Sequence, residues 1–225
     1  ISRNGPLFIN KGKERLSIGF LGDNQPIQEL GLKLNNIINN YKKIQPFIEG
    51  LTRDSKAIVA KISKHPIKSF SRERMLVLGE AAGLVTPFFY EGILCGLVSA
   101  EIAFYTTKSL IENNSDFNQL SLRQYDNEIT RVFRNFFKNG KGSEYIFYNA
   151  GSNMQLIWDS YTKSIFKDKK LRRYIYEAYQ IEDIEALTNY DTSRDRYAGE
   201  RMLANLPFLS KISLAPFFLK ARFIL

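Results

Sequence analysis

The stretch "LVLGEAAGLVTPFFYEGI", residues 76–93, decides how this chain is read. A short apolar run ends at Gly79. Glu80 follows, then Ala81, Ala82 and a second glycine, Gly83. Pro87 interrupts the next apolar stretch, Phe88, Phe89 and Tyr90 follow it, and a second acid-glycine pair stands at Glu91-Gly92. Beyond Ile93 the sequence stays mostly apolar to Leu110, with Gly96, Ser99, Ala100 and Ala103 at helical intervals. Small residues so spaced let a helix approach a neighbour or a ligand closely.

A strand ending in glycine, an acid at its tip, a glycine-containing turn and then a helix is a recurring way to bring backbone close to a nucleotide. Gly79 has no Cβ, so a ligand can lie against the main chain there. Glu80 can accept hydrogen bonds from the vicinal hydroxyls of a ribose or ribitol. Ala81, Ala82 and Gly83 keep the path narrow, and Pro87 fixes the direction of the loop before the helix. Gly92 heads that helix, whose first amides are unpaired and whose dipole is positive at this end. Such a terminus suits a pyrophosphate or the carbonyl edge of a reduced flavin, with Glu91 pointing away or capping the helix. A plain strand-turn-helix with small residues for packing accounts for the spacing equally well.

The longer run "LVLGEAAGLVTPFFYEGILCGLVSAEIA" resembles the second FAD-binding motif of geranylgeranyl reductases and p-hydroxybenzoate hydroxylase-like flavoproteins, roughly G-D-A-A-G-x-x-x-P-x-x-G-E-G-I followed by small residues. Gly79, Ala81, Ala82, Gly83, Pro87, Glu91, Gly92, Ile93, Ser99 and Ala103 carry the match, which spans residues 72–108. A looser similarity reaches back over residues 6–50, like the substrate-domain sheet of these reductases. The resemblance implies FAD as cofactor, held through Gly79, Glu80, Ala81, Ala82, Gly83, Pro87, Glu91, Gly92 and Ile93. Phe89 and Tyr90 would then border the cavity of an apolar, isoprenoid-like lipid substrate, and no catalytic residue is singled out. Three departures stand out. Glu80 replaces the family's aspartate, Tyr90 its first Gly-Glu-Gly glycine, and "GPLFINK" keeps only Lys11 of the aromatic substrate segment found in archaeal prenyl reductases. The G-x-G-x-x-G turn that holds the ADP half of FAD is absent from the sequence. Together with a start at Ile1, this implies the C-terminal portion of a longer flavoprotein, or a partner of a separate dinucleotide-binding half. Two other functions remain open: a flavin monooxygenase or halogenase, and a truncated, non-enzymatic homologue acting as a binding module.

Composition sets the outer limits. The 225 residues, with 17 Phe and 12 Tyr, can bury a substantial core. The net charge of +9 favours anionic partners such as phosphate-bearing cofactors or acidic lipid surfaces. The basic residues are scattered, with no basic-aromatic repeat, so nucleic acid is not an expected partner. One cysteine, Cys95, and one histidine, His65, leave no disulfide and no zinc-type cluster. A lone buried cysteine is more often structural than redox-active, and His65 beside Pro66 suits a strand end. The expected location is the cytoplasm. The apolar C-terminal run from Leu203, punctuated by Lys211, Lys220 and Arg222, has the composition for peripheral membrane contact or for core helices.

The expected fold is α+β, the C-terminal part of a two-domain FAD-binding fold: a small antiparallel sheet followed by a helical second half. Three segments are expected: a substrate-domain sheet and helix in 1–70, the FAD-binding strand-loop-helix in 71–112, and a helical region in 113–225. Within them, the pattern predicts a hairpin over 6–20, a helix over 27–41 and a strand over 55–66. A charged turn at 71–74 should lead into a strand at 75–78. Ser121 with Gln124 reads as a capping box opening a helix striped by Leu122, Tyr125, Ile129, Val132, Phe133 and Phe136, which Gly140 to Gly142 should stop.

Overall fold

A computed structural model describes residues 7–21, 26–63, 65–88, 90–178 and 184–224, the side chains of 178, 186 and 222–224 excepted. The fold is α+β, with two small antiparallel sheets and a helical second half. The chain divides into two compact units, Ile1–Lys61 and Ile62–Leu225.

In the first unit, β1 (Leu7–Lys11) and β2 (Leu16–Phe20) form the expected hairpin, with Ile9 opposite Ile18. Gly12 N donates to Arg15 O at 2.8 Å to close the turn. The Phe8 ring lies over Gly19, its register partner, in the space a side chain would fill. The helix α1 (Ile27–Asn40) follows Pro26 and buries Ile37, and a short α2 (Gln45–Ile48) follows. The strand expected over 55–66 does not form in the described residues of that stretch. "AIVAKIS" has strand propensity, yet no neighbouring edge offers it ladder hydrogen bonds, and Ile58 is exposed.

The second unit begins from a tight β3 (Ser71–Arg72) and β4 (Met75–Leu76) pair. The charged turn is therefore shorter than predicted, and its first residues pair back on the strand. A 3-10 turn, Gly79–Ala82, leads by way of the 83–92 loop into α3 (Ile93–Glu112). Next comes α4 (Gln119–Tyr148), 30 residues long. Its cap is Asn118, whose side-chain oxygen accepts from Ser121 N at 2.9 Å, so Ser121 lies inside the helix and does not open it. Nor do Gly140 and Gly142 stop α4. A Cβ at Gly140 would come within 2.9 Å of Pro87 Cδ, so this glycine admits the Pro87 loop against the helix. The chain continues through α5 (Met154–Lys167), α6 (Lys169–Ala178), α7 (Ile184–Thr188), α8 (Thr192–Asn205) and α9 (Phe208–Ile224). No helix among the described residues is long and apolar enough to cross a membrane.

One core joins α3 to α4 through Val98, Ile102, Tyr125, Ile129, Val132 and Phe133, all buried. A second gathers Phe147, Ile157, Met202, Leu206 and Leu214 where α4, α5, α8 and α9 meet. The apolar stripe read from the sequence of α4 faces the first of these.

The β3–β4 hairpin is fastened to α4 by one carboxylate. Asp126 Oδ1 accepts from the backbone N–H of Phe70, and its Oδ2 accepts from the Ser71 hydroxyl, with Phe70 and Ser71 both buried. Removing the acid strands two buried donors. Asp126→Ala is therefore expected to lower unfolding stability by about 2–4 kcal/mol, measured by urea denaturation. Equal midpoints for variant and wild type would show that the clasp carries no load.

Candidate functional site

The residues singled out in 79–93 come together at the junction of β4 and α3, and the structure separates their roles. Gly79 has φ +55° and Gly83 φ +69°, both in the left-handed region. At Gly79 the close neighbour is α3: a Cβ would lie 3.4 Å from Gly96 Cα, and Gly79 N donates to Ser99 Oγ at 3.0 Å. The Ser99 hydroxyl in turn donates to Gly96 O at 2.9 Å. The small residues of α3 thus serve first to seat the strand end on the helix. At Gly83 the neighbour is the chain itself. A Cβ would fall 2.2 Å from the carbonyl oxygen of His65, because the 65–67 segment crosses here and Ile67 N donates to Ala82 O at 3.0 Å. The narrow path that Gly83 was expected to leave for a cofactor is taken by backbone, and His65 contributes its carbonyl there.

Glu80 and Ala81 are exposed, whereas Ala82 is buried. Thr86 and Pro87 are buried too, and the loop closes on itself: Thr86 N donates to Glu91 O, Tyr90 N to Thr86 O, and Glu91 N to Thr86 Oγ1, each at 2.9 Å. Gly92 is the N-cap of α3, as its position suggested. Glu91 Oε1 accepts from Ile93 N at 2.6 Å, so a carboxylate already sits on the first free amide. That leaves this terminus poorly suited to a second anion.

Tyr90 has φ +53°, a conformation that costs a side-chain-bearing residue about 1–2 kcal/mol. Its hydroxyl donates to Glu144 Oε1 at 2.6 Å, and its ring packs 5.9 Å from that of Tyr148. Tyr148 donates in turn to Phe88 O at 2.8 Å. Phe89 lies outside the described residues. Cys95 is buried on α3, and burial, with the nearby Glu91 charge second, pushes its thiol up to about 12; it is a packed side chain in a form that resists oxidation. Among the described residues no three His, Cys, Asp or Glu side chains gather as a metal would need.

Beside this loop lies a feature that sequence reasoning missed. A cavity of about 180 Å³ is bounded by Pro87 and Phe88 and by residues of α4, α5, α6 and α8. Tyr90 is not part of its wall. Asp195 and Arg194 on α8 are, along with Tyr190. Asp195 Oδ1 accepts from Tyr190 OH at 3.0 Å, while its Oδ2 is buried with no partner among the described residues. Burial is the main cause that raises this carboxyl to about 6, with Asp191 adding to the shift. The same burial and the facing carboxylate push the Tyr190 phenol up. Arg194 holds Glu177 Oε2 at 3.1 Å and stands over the Tyr174 ring at 5.2 Å. The available signal was "RDRYAG": Asp195 and Gly199 share one face of a helix, an acid one turn before an interior glycine.

No family model, curated protein or solved structure matches the chain.

Two outcomes follow from this geometry. Gly83→Ala, with a methyl driven into the His65 carbonyl at positive φ, is expected to cost more than about 3 kcal/mol, against about 1–2 kcal/mol for Gly79→Ala. Denaturation midpoints in that order are the check, and equal midpoints would contradict the crossing at His65. Asp195 titrates near 6 when folded and near its ordinary 3.8 when unfolded. Between those values the folded state holds more protons, so this residue's contribution to stability falls as pH rises from about 4 to 6 and stays lowered above. Asp195→Asn should flatten that fall, by up to about 3 kcal/mol, in thermal melts across the window.

Proposed function

We propose that the chain is the C-terminal portion of an FAD-dependent oxidoreductase resembling geranylgeranyl reductases, acting on an apolar, isoprenoid-like substrate. The observation that carries the reading is the backbone at Tyr90. At the place where the motif has glycine, this tyrosine holds φ +53°, a conformation that favours glycine. A backbone that favours glycine, at a position where the motif has glycine, supports the reading although the residue has changed. Gly79 at φ +55° and the Ser99–Gly79 hydrogen bond, both on motif positions, support the same reading.

The residues fit the hydroxyl-bearing part of the cofactor better than its anionic part. Glu80 is exposed beside the small, exposed Ala81, where its carboxylate can accept from ribitol hydroxyls. Glu91, a motif position itself, keeps the first amide of α3. When bound, the flavin supplies hydride acceptance and donation. This chain's part is to position the cofactor through the exposed Glu80 and Ala81 and to keep an apolar surface beside it. The dinucleotide-binding half would come from further chain or from a partner. Ile93, Leu97, Phe104 and Ile111, exposed along α3, offer it an apolar stripe. The same stripe also favours a second reading, a flavin-free binding module that docks on a partner by α3.

The deciding measurement is the absorbance spectrum of the purified protein in the longest form its gene encodes, before and after adding FAD. Flavin bands are expected, and Glu80→Ala should weaken FAD binding about tenfold, the loss of hydrogen bonds to a charged acceptor. No bands under either condition would sink the oxidoreductase reading in favour of the module. Oxygen uptake with NAD(P)H, beyond slow background reoxidation, would mark a monooxygenase or halogenase in place of a reductase.

A further inference from the structure

The cavity beside Pro87 has walls made mostly of rings and aliphatic chains, among them Phe136, Phe147, Ile175 and Met202. Its volume, about 180 Å³, exceeds the ~150 Å³ of an apolar cavity that stays dry and takes up benzene. Thr86, Ser143, Arg194 and Asp195 bring polar groups to the lining, and two positions on α8 shape it. Gly199, in the interior of the helix, leaves open space: a Cβ there meets nothing within 4 Å. One turn earlier on the same face, Asp195 keeps Oδ2 buried without a donor among the described residues. A buried, unpaired carboxylate oxygen is costly, and native structures satisfy such groups with protein, water or ligand.

We propose that this cavity binds an apolar alcohol, its body of about six to ten carbons against the aromatic wall and its hydroxyl donating to Asp195 Oδ2. A carboxylate could approach the buried Arg194 Nε, which makes no hydrogen bond among the described residues, but would set a second anion against Asp195. An ammonium would have to shed its hydration against a ring-lined wall to reach Asp195, beside an Arg194 already held by Glu177 at 3.1 Å and Asp191 at 3.8 Å. A neutral donor meets neither penalty. The site does not rest on the flavin reading, and no flavin enters its test.

The chain carries its own reporter. Trp158 is the single tryptophan, and its ring lies 4.6 Å from Phe147 and 6.0 Å from Phe88, both in the cavity wall. Titrating the chain with 1-octanol is expected to change Trp158 fluorescence saturably. Gly199→Leu, which fills the open space, should abolish the change, while Gly199→Ala should retain it. Asp195→Leu should weaken octanol binding about tenfold and leave hexane binding unchanged. The proposal is overturned if wild type shows no saturable response, or if octylammonium or octanoate binds more tightly than octanol. It is equally overturned if folded Gly199→Leu binds octanol like wild type. Should circular dichroism show that Gly199→Leu does not fold, Asp195→Leu decides: unchanged octanol affinity there overturns the proposal.

Discussion

Tyr125 and Asp126, neighbours on α4, hold the second unit's opening segment in place. Asp126 takes the Phe70 amide and the Ser71 hydroxyl, and the Tyr125 hydroxyl donates to Val77 O at 3.1 Å. Tyr125 is fully buried between β4 and α3, also reaching Ser99 O at 3.5 Å. Two successive residues of one helix therefore fix both ends of the β3–β4 hairpin. They set where Gly79 leaves the strand and how α3 returns over it. A polar anchor of this kind is effective because every donor it engages is shielded from water. The glycine turn, the Pro87 loop and the cavity beyond are all positioned from this anchor outward.

From that anchor the geometry divides into two neighbouring regions of different character. The strand-turn-helix at 79–93 is solvent-facing at Glu80, Ala81 and Ile93, while Thr86 ties the loop to Tyr90 and Glu91 by hydrogen bonds. The ring-lined cavity lies between the Pro87 loop and helices of the second unit, with Asp195 and Arg194 among its polar wall residues. Pro87 and Phe88 belong to both.

Local pattern made the hairpin, α1, the α3 start at Gly92 and the apolar stripe of α4 legible in the sequence, since each depends on residues close in the chain. Where the reading failed, a distant partner decided. "AIVAKIS" has the propensity of a strand and lacks an edge to pair with. Gly140 looks like a stop signal until Pro87, more than fifty positions earlier, is seen to need the room. Gly83 looks like a ligand approach until the His65 carbonyl takes the space. Ser121 lost the cap to Asn118 by a choice between two good capping residues that spacing alone leaves even. The cavity was invisible for the same reason: Asp195 and Gly199 acquire meaning only against Pro87, Phe136 and Tyr190.

Tyr90 carries one more consequence. A tyrosine at φ +53° stays there because something outside the loop holds it, and its hydroxyl bond to Glu144 with its packing on Tyr148 is that hold. Positions 90 and 144 are therefore thermodynamically coupled across 54 residues of chain. In descendants of this sequence, an acid at 144 is useful only while 90 is a hydroxyl-bearing ring, and drift of 90 to glycine releases 144 altogether. Position 144 should therefore vary freely only where 90 is no longer tyrosine.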